Sequence, residues 1–140
     1  MTPNFTLAEL TITNHRSPDN TPDPAARANL QRLAVFLELV KDRLGGRPIM
    51  VNSAYRSAAV NAACGSRETS QHRLGCAADV RVPGMTPDAV VRAVMASGLA
   101  YDQIIREFDA WTHISIPNTP TAAPRKSALI IDRAGTRTFA

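Results

Sequence analysis

The sequence is poor in aromatic residues and in cysteine. Aromatic side chains make up 5% of the 140 residues, and the two cysteines are Cys64 and Cys76. Two cysteines are too few for a cysteine-rich zinc module. We interpret them as two small buried side chains, and a disulfide that closes the segment between them is the alternative.

Long apolar runs are also lacking, which argues against insertion into a membrane. The N-terminal segment MTPNFTLAEL has no basic start followed by an apolar block, so no signal peptide is predicted. We therefore expect synthesis in the cytoplasm, and any action outside the membrane would require release by another factor. The length suits a single domain, residues 1–140, and we expect a monomer.

Positive charge is in mild excess. The net charge is +4 and the isoelectric point is about 9.7. Such a balance favours adsorption to an anionic polymer, either nucleic acid or a bacterial cell wall. The basic residues are scattered and aromatics are few, so a nucleic-acid partner is not expected and the excess charge is interpreted as a solvated surface.

Turn residues and apolar periodicity predict an α+β fold. A long helix is predicted from the cap Asp23 to Gly45, a short one in SAAVNAAC, and a second long one after the cap Thr86. Loops are predicted at residues 13–25, which include His15, and at 117–125. Strands are predicted in PIMVNSAYR, CAADVRV, YDQIIREF, WTHISI and SALIID. This order predicts a mainly antiparallel sheet with helices packed on one side.

Three polar residues can converge above the non-core face of that sheet if the strands that carry Asp79 and His113 are neighbours. Gly75 argues against a single helix through His72 and Asp79, so we expect His72 on a loop and Asp79 on the following strand. Alternation places Asp79, and His113 on another strand, away from the core. Two imidazoles and a carboxylate suit Zn²⁺ with a fourth position open to water. The alternatives are ordinary surface or core histidines and an aspartate that caps a turn.

The segment SQHRLGCAAD resembles the SxHxxGxAxD signature of the zinc D-Ala-D-Ala carboxypeptidase family, which includes phage L-alanoyl-D-glutamate endopeptidases. WTHIS and VNSAYRS resemble the family segments that supply the last ligand and a substrate-facing arginine. NFTLAEL, DNTP and NLQRLAVFLELVKDRLG resemble the N-terminal half of its compact single-domain branch. The resemblance implies a Hedgehog/DD-peptidase-like fold and one Zn²⁺ per chain, held by His72, Asp79 and His113.

The resemblance also implies residues around the metal. Arg56 matches the family arginine and would bind a peptide carbonyl oxygen or a substrate carboxylate. Ser70 would bind substrate or steady the ligand loop, and a simple loop-capping hydroxyl is the alternative. Tyr55 and Ser53 are candidates to line the same pocket. Strand alternation, rather than the resemblance, places Trp111 on the same face as His113, where it would line the wall of the site, and a place in the core is the alternative.

The general base departs from the family pattern. Several family members have a glutamate three residues before the last histidine, where this chain has Ala110. Glu107, six residues before His113, is the first candidate, and an exposed strand carboxylate is its alternative interpretation. Asp109, four residues before His113, is the second candidate, and a plain turn former is its alternative.

The predicted activity is zinc-dependent hydrolysis of peptide bonds in peptidoglycan stem peptides or cross-links, by a carboxypeptidase or an endopeptidase. The sequence leaves open which bond is cut. A phage or prophage endolysin that reaches the wall with the help of a holin is the predicted setting. The alternative is a zinc-stabilised module with weak catalysis, which binds the cell wall or belongs to a phage particle. A basic nucleic-acid binder rests on the isoelectric point alone.

Overall fold

The computed structural model describes residues 1–15 and 19–139, so part of the predicted loop 13–25 lies outside the described residues. Within these ranges the chain forms five α-helices and six β-strands. The helices are α1 (Leu7–Leu10), α2 (Pro24–Arg43), α3 (Ala58–Ala63), α4 (Gln71–Leu74) and α5 (Pro87–Ala96). The strands are β1 (Met50–Ser53), β2 (Ala77–Arg81), β3 (Gln103–Glu107), β4 (Trp111–Ser115), β5 (Ser127–Asp132) and β6 (Gly135–Thr138).

The strands form one mixed sheet in the order β1-β2-β4-β3-β5-β6. In the described part of the chain four pairings are antiparallel, and β3 pairs with β5 in parallel. The α+β class is thus confirmed, and the predicted mainly antiparallel sheet contains one parallel pair. The hairpin formed by β3 and β4 explains why β5 runs parallel to β3. Ser115 at the end of β4 lies opposite Gln103 at the start of β3, and Ser127 begins β5 at the same end.

The core lies between the two long helices and one face of the sheet. Asp23 and Thr86 accept hydrogen bonds from Ala26 N and Ala89 N, at 2.8 and 3.1 Å, so both predicted caps are confirmed. The buried side chains of this core include Leu30, Leu33, Leu37 and Val40 of α2, Val90, Val91 and Val94 of α5, and Ala78, Val80, Ile104 and Ile114 of the sheet. Alternation along β2 and β4 therefore directs Asp79 and His113 to the opposite face.

Some short elements differ from the prediction. His72, predicted on a loop, lies in α4, a single helical turn too short to show periodicity. The unpredicted α1 begins with a capping box between Thr6 and Glu9, and the unpredicted β6 is exposed along its length. Within the described residues both cysteines are free. Cys76 is buried as predicted, but Cys64 is exposed, which corrects that part of the prediction and the disulfide alternative.

Asp102 ties α4 to the long loop that precedes β5. Its side chain is buried and accepts hydrogen bonds from Arg125 N at 2.9 Å, from Arg125 Nη2 at 2.7 Å and from Gln71 Nε2 at 3.0 Å. Burial acts to raise the pKa of Asp102, but the bonds and the charge of Arg125 outweigh it and hold that pKa below its ordinary value. Since Gln71 directly precedes His72, this network fixes the helix that presents the imidazole.

Gly75 lets the chain turn sharply between α4 and β2. Its φ is 79°, in the left-handed region that glycine tolerates best. A Cβ at this position would lie 2.7 Å from Ala26 O and 3.2 Å from Leu30 Cγ of α2. The glycine thus provides both the backbone conformation and the close approach to α2 that brings His72 near Asp79.

Gly75→Ala is expected to lower the free energy of unfolding by about 2–4 kcal/mol, because left-handed strain of about 1–2 kcal/mol adds to a backbone clash. Gly46→Ala is the matched control, since Gly46 has the same φ of 79° and no described atom within 4 Å of its would-be Cβ. Chemical denaturation of both variants measures the difference. Equal losses of stability in the two variants would contradict the close approach to α2.

Candidate metal centre and catalytic site

The structure brings His72, Asp79 and His113 together. Asp79 and His113 are direct partners in the antiparallel pair β2–β4, so their side chains leave the sheet on the same face. His72 reaches them from α4. One ligand atom from each of the three residues lies within 4.8 Å of the other two, and all three residues are buried.

The spacing of the donor atoms suits a tetrahedral metal ion. His72 Nε2 lies 3.3 Å from Asp79 Oδ1, and His113 Nδ1 lies 3.1 Å from the same oxygen. Ligands that each lie about 2.0–2.2 Å from a tetrahedral zinc ion are separated by about 3.3–3.6 Å. Two imidazole nitrogens and a carboxylate oxygen are also the donor types that zinc selects. The residues present therefore fit one zinc ion.

Backbone contacts fix the orientation of the His72 ring. Its Nδ1 lies 2.7 Å from Ala54 O, and Arg56 N donates to His72 O at 3.0 Å. The carbonyl oxygen of Ala54 can only accept a hydrogen bond, so the proton of the neutral ring is assigned to Nδ1. Nε2 therefore keeps its lone pair towards Asp79, as a metal-binding imidazole requires.

Asp79 is the centre of the cluster. Burial acts to raise the pKa of this carboxyl. In the absence of metal, hydrogen bonds and positive charge from the protonated forms of His113 and His72 outweigh burial and hold the pKa far below its ordinary value. Its second oxygen, Oδ2, accepts from Arg56 Nη2 at 3.2 Å. Asp79 is thus an ionised, buried carboxylate, which is the form that binds a metal.

Arg56 lies at the edge of this cluster. Its Nε donates to Ser53 Oγ at 3.2 Å and its Nη1 to Ser66 Oγ at 3.1 Å, in addition to the contact with Asp79. The arginine predicted to face substrate is therefore beside the candidate ligands. Ser53, a predicted pocket residue, orients Arg56 through this hydrogen bond. Ser66 was not predicted, since a serine in a loop carries no signal of such a contact.

Glu107 lies on the face of the sheet that carries the cluster. In β3–β4, Ile105 pairs with His113 and Glu107 with Trp111, so these side chains share one face. Burial raises the pKa of Glu107 above its ordinary value, and the negative charge of Asp79 adds to the rise. His113, Trp111 and Arg56 act in the opposite direction. A carboxylate with a raised pKa suits a general base.

Asp109 is directed elsewhere. Its side chain is 74% exposed, and its Oδ1 lies 3.1 Å from Arg106 Nε. Arg106 pairs with Thr112 and also bonds Asp88 of α5, so it belongs to the helix-covered face of the sheet. The geometry therefore favours Glu107 as the base and keeps Asp109 as a turn residue bound to Arg106.

The remaining predicted residues have structural contacts. Ser70 caps α4, with its Oγ accepting from His72 N at 3.3 Å, which is the capping alternative. Tyr55 is buried and packs in the core cluster, and its place at the pocket wall stays a prediction. Trp111 is partly buried, and its ring centroid lies 6.0 Å from that of Phe108. Phe108 was not predicted. The feature of the sequence that could have indicated Phe108 is a large aromatic residue within a tight turn.

None of the helices in the described ranges combines the length and apolar character needed to cross a lipid bilayer.

Similarity to known proteins identifies the family of this chain. Zinc D-Ala-D-Ala carboxypeptidase of Streptomyces albus G is 36% identical over 78 residues, which cover 55% of this chain and 31% of that protein. The match therefore spans about a third of the relative's length. Residues 3–115 match the family described as Peptidase M15, and this span includes all three candidate ligands. The chain belongs to the Peptidase M15 family.

Proposed function

We propose that the protein is a zinc-dependent metallopeptidase that hydrolyses peptide bonds in the stem peptides or cross-links of bacterial peptidoglycan. The observation that carries this proposal is the convergence of His72, Asp79 and His113, with Glu107 and Arg56 on the same face. The family and the name of the Streptomyces relative support zinc as the cofactor and a D-Ala-containing peptide as the substrate class.

Zinc and Glu107 have separate roles in the proposed reaction. Zinc, when bound by His72, Asp79 and His113, supplies a Lewis acid that lowers the pKa of water and polarises a carbonyl oxygen. The Glu107 carboxylate accepts a proton from the water whose oxygen attacks the carbonyl carbon. When the C–N bond breaks, the same carboxyl returns the proton to the leaving amine nitrogen.

Arg56 supplies positive charge beside the reacting carbonyl. A guanidinium carries five N–H groups, and Ser53, Ser66 and Asp79 accept from three of them. The two others remain for a substrate oxygen. They stabilise either the charge that develops on the carbonyl oxygen or a terminal carboxylate of the peptide.

The fold family, the biological setting and an alternative function complete the proposed function. A Hedgehog/DD-peptidase-like arrangement of the sheet is proposed on the strength of the family. The bond cut, the phage or prophage origin and release through a holin stay predictions. The alternative of a weakly catalytic zinc-stabilised wall-binding module differs in one observable, since it binds zinc and peptidoglycan but releases few or no products.

The proposed activity is tested with zinc-loaded protein and purified peptidoglycan of defined wall types. New amino groups are expected, together with muropeptides whose masses identify the bond that was cut. A chelator should stop the reaction and added Zn²⁺ should restore it. Tight zinc binding without new amino groups on any wall type would reject the peptidase and leave the binding module.

A further inference from the structure

Phe108 occupies a backbone conformation that is unfavourable for its type. It lies in the turn between β3 and β4, and its φ is 53°, followed by 51° at Asp109. Two successive residues with positive φ are typical of a tight hairpin turn in which asparagine and glycine are favoured. A bulky aromatic residue in this region is an outlier. Formation of the turn does not explain the choice of phenylalanine.

Burial does not compensate for this strain. Phe108 is 50% exposed, and its ring contacts the indole of Trp111 at a centroid distance of 6.0 Å and an interplanar angle of 43°. We call these two side chains the aromatic ledge. Because half of Phe108 remains in solvent, the ledge presents apolar surface that the fold itself leaves uncovered.

A second unfavourable feature lies in the same ledge. Trp111 Nε1 is buried, and its one interaction with an acceptor among the described residues is a hydrogen bond to Glu107 of poor geometry, which acts to lower the pKa of that carboxyl. Poorly paired buried donors are rare in folded proteins. Strained backbone and unsatisfied groups that persist together are typical of functional sites.

The position of the ledge relates it to the reacting groups. Phe108 follows Glu107 in the chain, and Trp111 pairs with Glu107 across β3–β4. Arg56 approaches the cluster from the other side, where its partner Ser53 lies on β1. The candidate metal centre therefore lies between a cationic side and an aromatic side.

We propose that the aromatic ledge is a substrate subsite that holds an uncharged aliphatic group of the stem peptide, the methyl group of an alanine next to the scissile bond. The proposal rests on the proposed function and specifies its substrate. Aromatic ring surface favours apolar groups, whereas the ionised carboxylates of the peptide are directed to Arg56. The strain at Phe108 is retained because the ring contacts substrate.

Phe108→Asn separates this role from a structural one. Asparagine tolerates the left-handed conformation, so the melting temperature should stay within about 2 °C of wild type or rise. KM for a stem-peptide substrate should increase about fivefold to tenfold, with kcat within about twofold and zinc content unchanged. Phe108→Tyr should restore the wild-type KM, because it keeps the ring.

Binding can be followed without turnover. Trp111 is the only tryptophan of the chain, so fluorescence excited selectively at tryptophan, and not at the two tyrosines, reports on the ledge. Titration of the zinc-loaded protein with a sugar-free stem peptide should give a saturable fluorescence change. A peptide with glycine in place of the alanine should bind several-fold more weakly to wild type, and Phe108→Asn should bind the two peptides equally.

Lys126→Asn is the matched control. Lys126 has a φ of 49° and is exposed in the loop before β5, so the change should alter stability in the same direction and leave peptide binding unchanged.

Three results would overturn the subsite. They are a marked fall in melting temperature in Phe108→Asn, wild-type KM and peptide affinity in that variant, and a fluorescence response only to sugar-containing fragments. Saturable peptide binding that depends on Phe108, without cleavage, would support the subsite and reject the proposed peptidase.

Discussion

Glu107→Gln is expected to lower kcat for peptidoglycan cleavage by about 10²–10⁴-fold, the range that general bases contribute. Glutamine keeps the shape of the side chain but cannot accept a proton from water at neutral pH. Zinc affinity should remain at the wild-type value, because Glu107 is outside the candidate ligand set. Release of amino groups and zinc competition with a chelator measure the two quantities on the same samples.

Asp109→Asn is the control for the base. Asp109 is exposed and bonds Arg106, so its variant should retain kcat within about twofold and lose at most the small stability of a surface ion pair, about 0–1 kcal/mol. The opposite outcome, full activity in Glu107→Gln and a large loss in Asp109→Asn, would show that the turn residue is the base.

Asp79→Asn is expected to weaken zinc binding by more than about 100-fold and to abolish cleavage. Even outer partners of metal ligands affect affinity by about 10–100-fold, and Asp79 contributes the negative charge that two neutral imidazoles lack. Competition with a coloured chelator and metal analysis after dialysis measure the affinity. Circular dichroism of the metal-free variant checks that the sheet still forms.

Asp132→Asn provides the comparison for this experiment. Asp132 is paired with Arg137 at 2.8 Å at the far edge of the sheet, so its loss removes a carboxylate without touching the cluster. Zinc affinity should then equal that of wild type. If Asp79→Asn also retained wild-type affinity, the three-residue metal centre would be rejected.

Features with local causes were predictable from the sequence. The cap at Asp23, the apolar stripe of α2 and the alternation along β2 and β4 depend on neighbouring residues only. Alternation was sufficient to place Asp79 and His113 on the non-core face. The structure adds the pairing of β2 with β4, which the sequence could state only as a condition.

Features with long-range causes were not predictable. The parallel pair β3–β5 depends on where the loop after β4 returns to the sheet, and the short helix α4 depends on its cap Ser70 and the network around Asp102. Whether Glu107 or Asp109 is placed to act as the base depends on Arg106. This arginine binds Asp109 of the hairpin turn and Asp88 of α5, so it holds Asp109 away from the cluster. The burial of Tyr55 was also not predictable, because proximity to Arg56 in the sequence does not say which side chain points inward.

The alternation of β2 has a consequence for how correctly folded molecules are selected. Val80 enters the core and Asp79 enters the candidate metal centre, so a slip of one residue in the pairing of β2 with β4 would exchange them. Such a misaligned chain would bury a carboxylate among aliphatic side chains and present valine to the metal. Zinc binding would then favour the native strand alignment, because only chains with that alignment could bind the ion and gain its stabilisation.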